Sequence, residues 1–350
     1  MSHLFCLTSQ RLNILFKFAE ILYRIPFLDI NSQRQNHFRK YSKLNTKIKT
    51  YSAVILAMIF WAFSFIWFKD ANRTFQPITI VFIRLLFSVI IMTVFLVSTR
   101  NYMKIKKADR KLFLMLALFE PFFYFLGESF GLTYVSATIC SVMISTIPVV
   151  ATIGAWLIFK EKLKIINYAG IILSFIGVLV FILNRDGSIS FNIKGLGFLI
   201  LAVLSAVGYN LTLSRLVGTY SPVYIVNVQN IIGAVLFLPL FLIFDFKQFM
   251  AVQITFNLFI PIIELAILCS CGAFILFAYS VKDMGITKAN VFSNCIPVFT
   301  ALFSFWLLGE KLTFQNITGM AIVIAGLFMS QMNGRNKNMD EALVFTGKTA

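Results

Sequence analysis

Four ionisable residues lie within long apolar stretches of the sequence: Arg84, Glu120, Glu128 and Glu264. An ionised side chain at bilayer depth costs a few kcal/mol, so each should face a partner or a water-filled cavity. On helices rising about 1.5 Å per residue, Arg84 falls roughly 10 Å below the outer end of its segment, Glu264 roughly 10 Å into its segment and Glu128 roughly 8 Å from the outer end. Glu120 lies about 12 Å deeper than Glu128, near the midplane. Acids and a base at these depths can pair, bind a charged solute, or take up and release a proton.

Each of these groups also has a purely structural interpretation. Arg84 can pair with Glu128 or Glu264 and simply hold helices together. No cation is expected at the depth of Glu120, which makes it the candidate for an acid that carries a proton in one state and meets water in another. Pro121 leaves the carbonyl four residues earlier without its helical partner, so a permanently protonated Glu120 bonded to that carbonyl is the alternative.

Two further prolines, Pro148 and Pro297, interrupt apolar segments at equivalent places. Each removes a helical hydrogen bond, and irregular backbone at bilayer depth survives only where it is buried in protein or lines a cavity. We therefore expect a substrate-contacting wall near these prolines, whereas helix packing is the expected role of single serine and threonine residues nearby. The other predicted members of this wall are Trp61, Tyr209, Asn210, Gln229 and Asn294.

The segments that carry these residues are predicted to span a membrane. The chain of 350 residues is 59% hydrophobic and 13% charged, with a mean hydropathy of +0.85, which is unlike a soluble protein. A run of about 20 apolar residues crosses the hydrocarbon core as a helix. The sequence predicts an all-α polytopic membrane protein with ten such spans, at 51–68, 77–98, 112–133, 135–159, 166–183, 195–214, 222–244, 257–281, 286–308 and 313–332.

Positive charge predicts the orientation of these spans. With a cytoplasmic N-terminus, the inner loops hold twelve Lys and Arg and the outer loops six, which favours a cell inner membrane protein with both termini in the cytoplasm. The net charge of +17 clusters in the tails and loops, so nucleic acid is not expected as a partner. Residues 1–50 form a basic arm, and residues 333–350 form a cytoplasmic tail. A polar stripe between Gln10 and Arg24 suits an interfacial helix, with an unstructured arm or an upstream start codon as alternatives.

The second half of the sequence repeats the first. Residues 148–177 align without gaps with residues 297–326, at an offset of 149. Two units, 51–183 and 195–332, are therefore copies of one five-helix fold. Because five is odd, the copies must be oppositely oriented, and substrate sites in such inverted repeats lie between the halves near the midplane. Further matched pairs, at an offset of 145, are Pro77 with Pro222 and Arg84 with Gln229.

A duplicated series of short motifs covers residues 51–332. In chain order they are Trp61 before Lys69, Pro77 with Arg84, Gly131-Leu132 with Ser136-Ala137, Pro148 before Glu161-Lys162-Leu163, and Gly285 before Pro297 and Gly309-Glu310-Lys311-Leu312. In this order they resemble the EamA-type branch of the drug/metabolite transporter superfamily. The resemblance implies ten helices with both ends in the cytoplasm and a central cavity between the halves. It also implies outer positions for the fifth and tenth helices, and export of small metabolites such as amino acids.

Together these features predict a secondary transporter that exports a small metabolite by alternating access, with a proton as the candidate coupling ion and a homodimer left open. No Walker-type phosphate loop occurs, so ATP is not expected as the direct energy source. Both histidines, His3 and His37, lie in the arm, so no enzyme, cofactor or metal site is expected. The 40 Phe are expected to face lipid or pack helices. The alternative functions are a lipid flippase or a non-transporting scaffold, and a membrane-embedded lipid-modifying enzyme is least favoured.

Overall fold

The computed structural model describes residues 38–151, 153, 164–182, 192–253 and 255–331. By its internal contacts the chain divides into two units, Met1–Ile48 and Lys49–Ala350. In the first unit the described residues, 38–48, are helical. The predicted interfacial helix around Gln10–Arg24 lies outside the described residues, and the other described residues all belong to the second unit.

The described residues are helical and contain no strand. Short π or 3-10 turns join some helices into longer segments, at Lys107–Asp109, Leu118–Phe123, Phe241–Asp245, Leu265–Ala273 and Phe292–Cys295. The α-helices, numbered in chain order, are α1 Phe38–Ala71, α2 Pro77–Ser98, α3 Arg110–Ala117, α4 Tyr124–Tyr134, α5 Ala137–Ile144, α6 Ile165–Ile182, α7 Ile193–Leu216, α8 Pro222–Leu240, α9 Phe246–Ala251, α10 Phe256–Glu264, α11 Phe274–Met284, α12 Ile286–Val291, α13 Ile296–Leu307 and α14 Phe314–Gln331.

Most of these segments are long and apolar enough to cross a bilayer, so the chain is a multi-pass membrane protein. Among the described residues, seven qualify by length and hydropathy, and three shorter apolar helices accompany them: Ala137–Ala151, Ile165–Val180 and Phe314–Ser330. The fourth predicted span, 135–159, continues beyond the described residues. The seven long segments are Lys47–Ala71, Pro77–Ser98, Lys107–Tyr134, Ile193–Leu216, Pro222–Ala251, Phe256–Met284 and Lys288–Leu307.

The third predicted span is not a continuous helix. The stretch 112–133 is interrupted between α3 and α4 by a π turn in which Glu120 adopts an extended conformation, with φ −148° and ψ 119°. Pro121 explains the interruption, because proline lacks an N–H and disfavours helical backbone at the residue before it. The break therefore sits at the acid that the sequence had placed near the middle of the membrane.

The interruptions near Pro148 and Pro297 lie at equivalent positions in the two repeats. Helix α5 ends at Ile144 and a turn follows at 145–146 before Pro148. Helix α12 ends at Val291, and a 3-10 turn occupies Phe292–Cys295 before Pro297. Hydroxyls beside the first break donate to helix carbonyls, as the packing interpretation of these residues requires. The bonds run from Ser145 Oγ to Val142 O at 2.7 Å and from Thr146 Oγ1 to Met143 O at 2.6 Å.

Helices that correspond in the two repeats pack side by side and run in opposite directions. On α2 and α8, Asn230 Nδ2 donates to Ser88 Oγ at 2.7 Å, and Thr93 Oγ1 donates to Asn227 Oδ1 at 3.2 Å. Residue numbers thus rise along one helix as they fall along the other. This is the relation expected between oppositely oriented copies of one unit.

The same antiparallel relation holds for α6 and α14. Asn167 Nδ2 donates to Ser330 O at 2.8 Å near one end, and Gln315 Nε2 donates to Val180 O at 2.8 Å near the other. The two backbones approach closely at Gly170, where a Cβ atom would lie only 2.2 Å from the Ser330 nitrogen. Glycine is required at such an approach because any side chain would separate the helices.

Glu310, which follows α13, ties the second repeat to the start of α5 in the first. Its carboxylate accepts the Ala137 N–H at 2.9 Å and the Thr138 hydroxyl at 2.6 Å. Lys69 adds electrostatic attraction to the same carboxylate. An acid at a helix N-terminus is stabilised by the exposed N–H groups and by the helix dipole. The contact therefore links the repeats at one end of the bundle.

Replacing Glu310 with glutamine should lower the free energy of unfolding by about 1 kcal/mol, because the charge-assisted cap is lost. The measurement is the thermal unfolding midpoint of the purified protein in detergent. The exposed neighbour Lys311 supplies a control, since Lys311→Gln should leave the midpoint unchanged. In combination with Thr138→Val the two losses should be less than additive, and full additivity would mean that the carboxylate does not act through Thr138.

Candidate functional site

A cavity lies between the two repeats. Segments from both repeats contribute to it, and its wall combines carboxyl, guanidinium, amide and hydroxyl groups with aromatic rings. The lining residues are Trp61, Ser64, Phe65, Arg84, Glu120, Tyr124, Phe125, Glu128, Ile144, Ile147, Ala206, Tyr209, Asn210, Phe274, Phe277, Asn290, Ser293 and Ile296.

Most of this lining comes from positions that correspond between the repeats. Seven pairs follow the sequence offsets, which means that the cavity is built from the same places in each copy. Pairs 145 residues apart are Trp61 with Ala206, Ser64 with Tyr209 and Phe65 with Asn210, and pairs 149 residues apart are Phe125 with Phe274, Glu128 with Phe277, Ile144 with Ser293 and Ile147 with Ile296.

The chemistry of the two walls differs despite this correspondence. Among the described lining residues, the charged ones are Arg84, Glu120 and Glu128, and all three belong to the first repeat. The second repeat contributes neutral polar and aromatic side chains. The cavity is therefore charged on one side and neutral on the other.

Arg84 is held by neutral groups. Its side chain is 2% exposed, its Nε donates to Ser270 Oγ at 2.9 Å, and its guanidinium carbon lies 4.2 Å from the centre of the Phe125 ring. Across the described part of the chain, it makes no direct ion pair with Glu120 or Glu128, although both act on it electrostatically. The structure thus replaces the predicted Arg84–Glu128 ion pair with a hydroxyl and an aromatic face.

The two cavity carboxyls are engaged differently. Glu128 accepts the hydroxyl of Tyr124, one helical turn earlier on α4, at 2.9 Å. Glu120 is 6% exposed and faces the cavity, and its carboxyl forms no hydrogen bond within the described residues. The alternative of a protonated Glu120 bonded to a freed carbonyl stays a prediction.

Glu120 and Arg84 line the same cavity and interact electrostatically. The backbone at Glu120 is extended, so a depth counted along a regular helix does not apply there. Pro121 of this break packs against Gly233 of α8, where a Cβ atom would lie 2.2 Å from the proline ring.

Aromatic rings from both repeats form a connected cluster in the cavity wall. The Trp61 ring centre lies 5.0 Å from that of Phe277 and 5.4 Å from that of Phe274, and Tyr209 lies 6.0 Å from Phe274. Four phenylalanines line the cavity, so the expectation that phenylalanine only faces lipid or packs helices is incomplete. They are Phe65, Phe125, Phe274 and Phe277.

The structure brings six of the nine predicted binding or coupling residues to the cavity and leaves three buried beside it. Glu264, Gln229 and Asn294 are at most 2% exposed and are not among the described lining residues. Asn294 lies next to the lining residue Ser293, and neither of its amide atoms has a hydrogen-bond partner within the described residues. The six at the cavity are Trp61, Arg84, Glu120, Glu128, Tyr209 and Asn210.

Gln229, which occupies the position corresponding to Arg84, lies near Tyr209. Its amide and the Tyr209 hydroxyl are adjacent without a hydrogen bond of standard geometry. Sequence reasoning missed Ser64 and Phe65, although the offset of 145 from the chosen Tyr209 and Asn210 would have found them. No group of three or more metal-ligating side chains occurs among the described residues.

Comparisons with known proteins agree with this architecture. The profile of the EamA-like transporter family matches the chain twice, over residues 48–183 and 193–332. An uncharacterized transporter of Archaeoglobus fulgidus is 26% identical over 287 residues, which cover 81% of this chain and 97% of that protein. The uncharacterized transporter YcxC of Bacillus subtilis is 24% identical over 297 residues, which cover 82% of this chain and 94% of that protein.

A solved structure described as "Crystal structure of protein" has the same fold. It aligns with a TM-score of 0.61 and 13% sequence identity, over 81% of this chain and 98% of its own. The family and these relatives are named transporters, which are not enzymes. With two copies of the family unit that together occupy most of its length, this membrane protein belongs to the EamA-like transporter family.

Proposed function

We propose that this protein is a secondary transporter that exports a small metabolite through the central cavity by alternating access. The observation that carries the proposal is the cavity wall itself, to which corresponding positions of both repeats contribute. A pathway between two copies of one unit can open by moving either copy against the other, which is how inverted repeats give access to each side in turn.

Antiparallel packing of corresponding helices supports the same mechanism. The pairs α2 with α8 and α6 with α14 run in opposite directions, so a rearrangement of one repeat has a counterpart in the other. The Glu310 cap on α5 is a contact between the repeats. A movement of one repeat against the other at this end must either break this contact or move α5 together with Glu310. We assign both termini to the cytoplasm from the excess of Lys and Arg in the inner loops. Export as the direction rests on the family resemblance.

Proton coupling is assigned to Glu120. Its carboxyl faces the cavity and has no hydrogen bond within the described residues, whereas Glu128 already accepts the Tyr124 hydroxyl. A carboxyl in such a position can exchange its proton with water that enters the cavity. The sequence holds no phosphate-binding loop, so the driving force would be an ion or substrate gradient.

Glu120→Gln should abolish flux driven by a pH gradient, because the amide carries no exchangeable acidic proton. The measurement uses the full chain in liposomes loaded with a defined mixture of labelled amino acids and amines, with the released solutes identified by mass spectrometry. The wild-type chain should release at least one solute faster than empty liposomes do, and the rate should rise with the gradient.

The matched control is Asp70→Asn, the same change at an acid that pairs with Arg73 outside the cavity. This variant should retain the wild-type rate. Full gradient-driven flux by Glu120→Gln would remove proton coupling through this residue and leave transport intact. No release by the wild-type chain above the empty-liposome rate would contradict the transporter assignment.

A further inference from the structure

The charge balance of the cavity favours a positively charged ligand. Two carboxyls and one guanidinium line it within the described residues. Within the described residues Arg84 uses its Nε to donate to Ser270, and its guanidinium lies over Phe125. The two carboxyls outnumber this one cation, so the net charge of the lining favours a ligand cation over a ligand anion.

Glu120 is the carboxyl that lacks a partner. It is buried to more than nine-tenths and faces the cavity without a hydrogen bond among the described residues, while Glu128 has the Tyr124 hydroxyl. Burying a polar group without a hydrogen-bond partner costs free energy. A ligand donor that bonds to such a group recovers that cost, and the recovered free energy stabilises the complex. An ammonium group supplies both the donors and the opposite charge.

The wall formed by the second repeat and α1 complements such a group. The rings of Trp61, Phe274 and Tyr209 line the cavity as a connected cluster, and Tyr209 is close enough to Glu120 to interact electrostatically. Aromatic faces attract cations that approach within about 6 Å, most strongly at tryptophan and after desolvation. A carboxyl beside an aromatic wall is a combination that recognises an organic cation with an apolar body.

We infer that the cavity binds a small organic ammonium ion, with its charge on Glu120 and its apolar body against Trp61, Tyr209 and Phe274. The inference rests on the proposed function and narrows its substrate class. It distinguishes a ligand of net positive charge from a zwitterion or an anion, because the carboxyls of the described lining outnumber its single guanidinium.

Four probes with a common phenyl body test the inference by calorimetric titration of the full-length protein in detergent: 2-phenylethylammonium, its uncharged analogue 2-phenylethanol, L-phenylalanine and phenylacetate. The wild-type protein should bind 2-phenylethylammonium at least tenfold more tightly than the other three. Glu120→Gln should weaken that binding at least tenfold, because it removes the negative charge, and Trp61→Leu should weaken it by a smaller factor. Asp70→Asn, outside the cavity, should not change it.

Equal or tighter binding of phenylalanine or phenylacetate overturns the inference, and so does undiminished binding of 2-phenylethylammonium by Glu120→Gln. Failure of the wild-type protein to bind 2-phenylethylammonium overturns it as well. A separate readout tests the proposed function: Trp61→Cys in a background with Cys6→Ser and Cys295→Ser should react with a membrane-impermeant thiol reagent, and the background without Trp61→Cys should not. If the cysteine variant is labelled but the wild-type protein does not bind the cation, the proposed water-accessible pathway stands and the ammonium ligand is rejected. If the cysteine variant is not labelled, both are rejected.

Discussion

Replacing Gly170 with leucine should lower the free energy of unfolding by about 3 kcal/mol, a larger loss than that expected for Glu310→Gln. A Cβ atom at this position would lie 2.2 Å from the Ser330 nitrogen and 2.7 Å from the Gly326 carbonyl oxygen. Both are backbone atoms of α14, which cannot rotate aside as a side chain would. The expected result is separation of α6 from α14, seen as a lower thermal unfolding midpoint and a smaller monodisperse fraction in detergent.

Gly197→Leu is the matched control for this prediction. Gly197 lies in α7 and is exposed, and a Cβ atom there would meet no atom within 4 Å. Leucine has a higher helix propensity than glycine, so this variant should be as stable as the wild-type protein or slightly more stable. An equal loss of stability in both variants would show that the substitution acts through insertion or expression and not through the helix contact.

Arg84→Met should reduce transport at least tenfold while the protein remains folded. Methionine preserves the length and apolar contacts of the side chain, but it removes the only cation among the described lining residues and the donor to Ser270. The carboxyls of Glu120 and Glu128 then share the cavity without a compensating charge, which changes what the cavity can bind. The measurement is the initial rate of solute release from liposomes, per amount of inserted protein.

Two further variants interpret that result. Arg84→Lys retains the charge but not the planar group that lies over Phe125, so it should recover only part of the rate. Arg73→Met removes an exposed arginine outside the cavity and should leave the rate unchanged. If Arg84→Met transports as fast as the wild-type protein, the guanidinium is structural and the charged wall is not needed for transport.

The positions of the helices along the chain were predictable because hydropathy shows directly which stretches of the sequence are apolar. The starts of α2 and α8 at Pro77 and Pro222 agree with the predicted spans, since proline suits the first turn of a helix. Gly170, the site of the close approach, lies in the stretch 148–177 that repeats as 297–326, and its counterpart there is again a glycine, Gly319. Such features depend on local sequence and on the repeat, and both can be read without knowing which helices are neighbours.

Partners across the bundle were not predictable in the same way. Ser270, which accepts the Arg84 donor, lies 186 residues away and carries no charge that would have pointed to it. The Glu310 motif was visible in the sequence, but its bond to Thr138 depends on how the second repeat sits against the first. Glu120 lines the cavity from a stretch of non-helical backbone before Pro121. Counting residues along a regular helix does not reveal such a break.

The uneven charge of the cavity has a consequence for the two states of the proposed alternating access. If the two copies were chemically identical, the states open to either side would have equal free energies, and the scaffold alone would favour neither. Here the three charged side chains of the described cavity lining all belong to the first repeat, and the position that corresponds to Glu128 is occupied by Phe277. In the proposed mechanism, any free-energy difference between these two states thus originates in a few paired positions, and exchanging their side chains would change it without altering the helices.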